Sequence, residues 1–120
     1  MAYFTYLHSS FFISTGDATL YVKVYSTEHG NVIAMCDNEL IGNIYVEGRR
    51  ELNLKDYAEF YKGELVDEKE AEDGVKDELI YSANVIGERS VGIFVKNGIA
   101  GEEDVGRISG VPFIQIYNLI

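Results

Sequence analysis

Between residues 19 and 27 the chain alternates: Leu20, Val22 and Val24 fall on one side, and Tyr21, Lys23 and Tyr25 on the other. A period of two is the mark of a half-buried strand. Residues 32–36 are apolar on both sides, as a central strand would be. Between them stands Glu28-His29-Gly30-Asn31, and Gly30 and Asn31 tolerate positive φ. The two runs predict a β-hairpin.

The pattern then shortens. Residues 37–42, DNELIG, read as a capped helical turn or a tight loop, and 44–46 and 51–54 as short strands around Glu47-Gly48-Arg49. Asn53 can cap a helix over 55–62, with Asp56 three residues on as the acidic partner. Tyr57, Phe60 and Tyr61 would form its apolar face and Gly63 its stop. Asp67 and Glu70 have capping-box spacing and open an acidic helix that Gly74 weakens. Residues 79–85 predict a strand. Residues 87–97 predict a helix with Val91, Phe94 and Val95 on one face and Gly98 at its C′ position. Residues 101–107 read as a polar turn or short helix. Residues 111–118 read as a strand, with Pro112 near its start where proline is tolerated. Its two faces are both apolar, which implies burial inside the sheet against the preceding helix.

Together these elements predict an α+β fold: a mixed, mainly antiparallel sheet with two or three helices covering one face. A chain of 120 residues is expected to hold one domain, here over 18–120. Residues 1–17, MAYFTYLHSSFFISTGD, are aromatic and carry no Lys or Arg. They read as an N-terminal extension or an extra strand, being rich in β formers. They lack the positive start of a signal peptide, and His8, Ser9 and Ser10 interrupt the apolar run.

Charge narrows the partners. Twenty acids against ten bases give a formal net charge of -10. Arg49, Arg50, Lys55 and Lys62 form the densest basic group, interleaved with Glu47, Glu51, Asp56 and Glu59. Direct, non-specific nucleic-acid binding needs clustered bases and is not expected. A basic protein partner, or solubility alone, accounts for the charge. The run 64–78 is acidic, with Lys69 and Lys76 as its only bases, and reads as a solvated face. The single cysteine, Cys36, forms no internal disulfide and suits a reducing cytoplasm. No apolar run reaches the roughly 18 to 20 residues that span a bilayer, so no membrane partner is expected. A homo-oligomer is left open.

Catalytic templates fail. The chain has no Cys-x-x-Cys pair, no His pair at i and i+4, no Gly-x-Ser-x-Gly elbow and no phosphate loop. His8 and His29 lie in the extension and in a turn. No metal site and no cofactor are expected. Cys36 ends an apolar strand and reads as a small core residue, its thiol further quietened by the neighbouring Asp37. The candidate ligand-binding residues are Asn84, Gly87, Glu88, Arg89 and Gln115. Gly87 at a helix start exposes N–H groups to an anion, and Arg89 in the first turn adds a bidentate clamp. Asn84 and Ser90 would orient the ligand. The plainer alternative has Asn84 capping the helix and Glu88 and Arg89 in surface pairs. Gln115 falls within the last apolar strand, on the face of Val111, Phe113 and Tyr117. Its amide needs partners, either a loop backbone or a pocket near Asn84.

The segments LYVKVY, CDNELIG, EFYKGELVDEKEA, ANVIGERSV and SGVPFIQI occur in that order. From Leu20 onward the chain resembles an archaeal family of small uncharacterised proteins, the domain of unknown function 424 family. It departs from the family's VPHAQI pattern at Phe113, where a His is common. Any catalytic or metal role of that His would be missing here. The resemblance implies an archaeal, cytoplasmic, single-domain protein and no established activity. Two functions are expected from these readings. The first is a non-catalytic protein-interaction module docking on a basic partner, in the translation or RNA-processing machinery by family context. The alternative is a small-molecule or anion-binding enzyme centred on residues 83–89 and Gln115.

Overall fold

Leu20, Val22 and Val24 are buried and Tyr21, Lys23 and Tyr25 half-buried, as the alternation requires. They lie on β1 (Leu20–Thr27), which pairs antiparallel with β2 (Gly30–Asp37) from Leu20↔Asp37 to Thr27↔Gly30. The computed structural model describes residues 16–76 and 78–117. Residues 1–15 of the expected extension, Asp77 of the acidic run and the end of the last strand at Asn118 lie outside the described residues.

The remaining elements follow in order: β3 (Ile44–Glu47), β4 (Arg50–Asn53), α1 (Ala58–Tyr61), β5 (Glu64–Val66), α2 (Glu68–Lys76), β6 (Ile80–Ile86), α3 (Glu88–Lys96), β7 (Gly106–Ile108) and β8 (Val111–Ile116). Six strands form one sheet in the order β5-β1-β2-β6-β8-β7, while β3 and β4 form a separate two-stranded ribbon. Within the sheet β2 and β6 run parallel and the other pairs antiparallel. The fold is α+β, with a mixed, mostly antiparallel sheet.

The sheet has two unlike faces. On one, α2 and α3 cover a continuous core of Leu20, Val22, Val24, Ile33, Met35, Val85 and Ile114. Val75 of α2 and Val91 and Phe94 of α3 close it. Phe94 is 0% exposed, and burying such a ring stabilises by roughly 1.5 to 3 kcal/mol. The opposite face carries a smaller cluster: Ala34, Cys36, Leu54, Tyr61 and Ile86, with Tyr25, Tyr45, Phe60 and Phe113 packed at its edge.

The helix near residue 58 differs from expectation in length and place. Asn53 does cap, its Oδ1 accepting the N–H groups of Lys55 and Asp56 at 3.2 and 2.9 Å. These bonds close a turn, and the helix begins only at Ala58. It covers the face opposite α2 and α3, because Tyr25 Oη donates to the Phe60 carbonyl and Tyr61 is buried beside Cys36 and Ala34. Two helices, α2 and α3, thus cover one face as expected, and α1 lies on the other. The Asp67–Glu70 capping box forms in both directions, at 2.7 and 3.3 Å. Gly98 follows α3 at φ 70°. The three-residue strands β5 and β7 had no signal in the alternation; each exists by pairing with a longer neighbour.

Candidate functional site

The strand β6 ends at Ile86, and Gly87 turns the chain into α3 at φ 108°. That backbone favours glycine, and the space demands it as well. A Cβ on Gly87 would lie 2.3 Å from Cγ of Asp37. Asp37 closes β2 and is 2% exposed. Its Oδ2 accepts the Arg89 N–H at 3.1 Å, and its Oδ1 accepts the Ser90 N–H and hydroxyl at 2.9 and 2.7 Å. The start of α3 therefore holds an anion already, supplied by the chain itself. A buried carboxylate with three donors answers the helix's open N–H groups.

Arg89 completes this corner. Its Nε lies 3.9 Å from Asp37 Oδ2 without a hydrogen bond, and its Nη2 pairs with Glu39. Glu88 points elsewhere and accepts from Arg107 at 3.1 Å. Asn84 does not cap α3. Its residue lies one strand position from Ala83 and Val85, which face the helices, so it faces the other side. There its Oδ1 accepts from Gln115 Nε2 at 3.1 Å. Of the five candidate residues, Gly87, Glu88 and Arg89 share the start of α3, and Asn84 and Gln115 share the opposite face. They do not form one pocket. The residue that sequence reasoning missed at this corner is Asp37. Its one sequence signal is an acid placed directly after an apolar strand.

The acidic run also divides. Glu78 Oε1 accepts from Asn31 at 2.6 Å, Glu72 from Asn97 at 2.9 Å and Lys96 at 3.3 Å, and Asp73 from Lys69 at 3.0 Å. The Asn97 hydrogen bond, together with Lys96, holds the Glu72 carboxyl below the usual carboxylate range. Much of this run is thus spent on structure rather than presented as an even charged face.

On the ribbon face an open cavity of about 330 Å³ lies between β4, α1 and β8. Glu51, Leu52, Asn53 and Leu54 form one wall, Tyr57, Phe60 and Tyr61 another, and Gln115 the third. The aromatic wall is ordered by contacts behind it: Phe60 stacks on Tyr25 at 5.3 Å, and Tyr61 meets Phe60 edge-on at 5.1 Å. Tyr57 stands 65% exposed at the mouth. Tyr61 is 8% exposed, and burial pushes its phenol up, with Cys36 and Tyr117 adding to the shift. Its hydroxyl stays protonated at neutral pH. Cys36 is likewise pushed up, by burial first and then by Asp37 and Glu39, so its thiol is a packing group and a poor nucleophile. In the sequence these aromatics read only as the apolar face of a helix.

The family model described as "Protein of unknown function (DUF424)" matches residues 24–119. The chain belongs to this family. No curated protein matches it. Among solved structures it is similar to an uncharacterised conserved protein from Methanopyrus kandleri, at 27% identity and a TM-score of 0.70. That likeness covers 84% of this chain and 92% of the other. Both the Asp37 corner and the ribbon-face cavity lie inside the stretch matched by the family model. Phe113, which stands where the resemblance led to a His, packs its ring against Gly106 and under Arg50, whose guanidinium lies 5.8 Å from the ring centre. Among the described residues no group of His, Cys, Asp and Glu could hold a metal ion. No helix among them is long and apolar enough to cross a membrane.

Proposed function

We propose that this protein is a non-catalytic interaction module that docks a basic segment of another protein on the ribbon face of its sheet. The observation that supports this reading is the aromatic-walled cavity there, with the exposed Tyr57 and the acidic Glu51 among its lining residues. Exposed tyrosines beside a concave, partly apolar surface are favoured in recognition, because they bury large area at small entropic cost. A formal net charge of -10 steers a basic partner and repels a nucleic-acid backbone. The reading places the protein in the cytoplasm, in keeping with its lone reduced cysteine. It takes the basic proteins of translation or RNA processing as the partner class. The enzyme reading loses its support, since the residues it relied on fall on two faces of the sheet. Tagged protein incubated in a native lysate at low salt, with retained proteins identified by mass spectrometry, tests the proposal. A stoichiometric basic partner released by salt is expected. An absence of any retained protein at low salt contradicts it.

A further inference from the structure

We infer that the ribbon-face cavity is a receptor for an arginine side chain presented by that basic segment. This rests on the interaction-module reading and names what the cavity would take. The cavity's lining residues include both acceptors for a cation and aromatic rings. Glu51 is exposed on β4, opposite Val46 in the ribbon, and forms no ion pair among the described residues. Gln115 donates its amide N–H to Asn84 at 3.1 Å, which fixes the carboxamide and leaves Oε1 to accept from a ligand. Tyr61 contributes a hydroxyl that has no hydrogen-bond partner among the described residues, although its ring is nearly buried.

These groups suit a guanidinium. Its donors form a planar fork, to which a carboxylate, an amide oxygen and a phenol oxygen are all suitable acceptors. Its flat faces stack on aromatic rings, and Tyr57 and Phe60 supply such rings. The molecule already holds one guanidinium this way on the same face, Arg50 over Phe113. The flanking Lys55 and Lys62 do not line the cavity. An ammonium would satisfy fewer of these acceptors, being a compact point charge. A volume of about 330 Å³ is at the small end for ligand cavities, enough for one side chain and its neighbours but not for a folded domain.

The test titrates the full chain with acetyl-Gly-Arg-Gly-amide and its citrulline counterpart, read by NMR. The expected result is a saturable shift of the Gln115 side-chain amide and of the Tyr57 and Tyr61 rings. The citrulline peptide, equal in shape but uncharged, should bind about tenfold more weakly or worse. Glu51→Gln and Tyr57→Ala should each weaken the arginine peptide by about tenfold. Glu103→Gln, which removes the same charge from a distant exposed turn, should change binding by less than about twofold. If Glu51→Gln and Glu103→Gln weaken binding equally, with shifts spread over the acidic surface, only net charge attracts the peptide. That outcome overturns the cavity as receptor and leaves the interaction module standing. Shifts absent from the Gln115 amide and both rings at saturating peptide overturn it too. A lysate partner retained equally by wild type and Tyr57→Ala would separate the two proposals in the same sense.

Discussion

On the helix side of the sheet, β1, β2, β6 and β8 present aliphatic side chains that α2 and α3 cover without interruption. On the ribbon side the same strands present Tyr25, an Asn84–Gln115 amide pair and Phe113, covered by a four-residue helix and a ribbon. The strands are shared, so the difference lies in the alternate residues. One set was selected for close packing. The other keeps polar groups and large rings at a partly open surface, a poor way to gain stability and a good way to bind. Under the proposed function, stability and recognition fall on opposite faces of one sheet.

The comparison breaks most easily at α3. Phe94→Ala should cost about 3 to 5 kcal/mol, the range for a buried ring removed from a core that cannot collapse. A urea midpoint measured against wild type reads this directly. Asp37→Ala should cost about 3 kcal/mol, since it leaves the N–H groups of Arg89 and Ser90 without their acceptor and Arg89 without its buried partner. Gly87→Ala should destabilise similarly, because its Cβ meets the Asp37 carboxylate and its φ lies in the region that only glycine adopts freely. Parallel melts of the two variants, and of the double variant, would show non-additivity if they act on one corner.

Along β8 the comparison can be sharpened within one strand. Ile114 is fully buried against the helices and Ile116 only half-buried. Ile114→Ala should then cost about 2 to 5 kcal/mol, and Ile116→Ala nearer 1 to 2. Equal losses would mean that the core extends to the end of the strand. On the ribbon face Tyr57→Ala should stay within about 0.5 kcal/mol of wild type, although it is expected to weaken peptide binding. The smallest effect is a pH dependence. The carboxyl of Glu72 is lowered in the folded state, chiefly by Asn97. Its contribution is therefore present above the unfolded value near 4.3 and is lost as pH falls through the folded value. The stability gap between wild type and Asn97→Ala should narrow from pH 7 toward pH 2. A gap that widens on acidification would contradict the assignment.

Much of this was legible in the sequence where a pattern repeats. The alternation at Leu20, Val22 and Val24, the Asp67–Glu70 spacing and the Val91–Phe94–Gly98 series each specify an element locally, and each is realised. The edges were not legible, because Glu64–Val66 and Gly106–Ile108 are too short to show a period and depend on partners far along the chain. The corner at Asp37 failed for the same reason: its hydrogen bonds reach 52 and 53 residues ahead. Asn84 looked like a cap because it precedes a helix by a few residues, yet strand alternation turns it away from that helix. The candidate residues of 83–89 and Gln115 were close in pattern and were separated by the thickness of the sheet. The cavity was hidden because Tyr57, Phe60 and Tyr61 fit a helical face as well as a wall.

The division of labour between the two faces is tested most directly by native-state hydrogen exchange, read residue by residue. If the helix side carries stability, amides of β2, β6 and α3 should exchange only through global unfolding, with free energies equal to that from urea denaturation. Amides of α1, β3 and β4 should open locally at clearly lower free energy, independent of denaturant. Ribbon and α1 amides protected to the same global value as β2 and β6 would contradict the account, since both faces would then belong to one equally cooperative core.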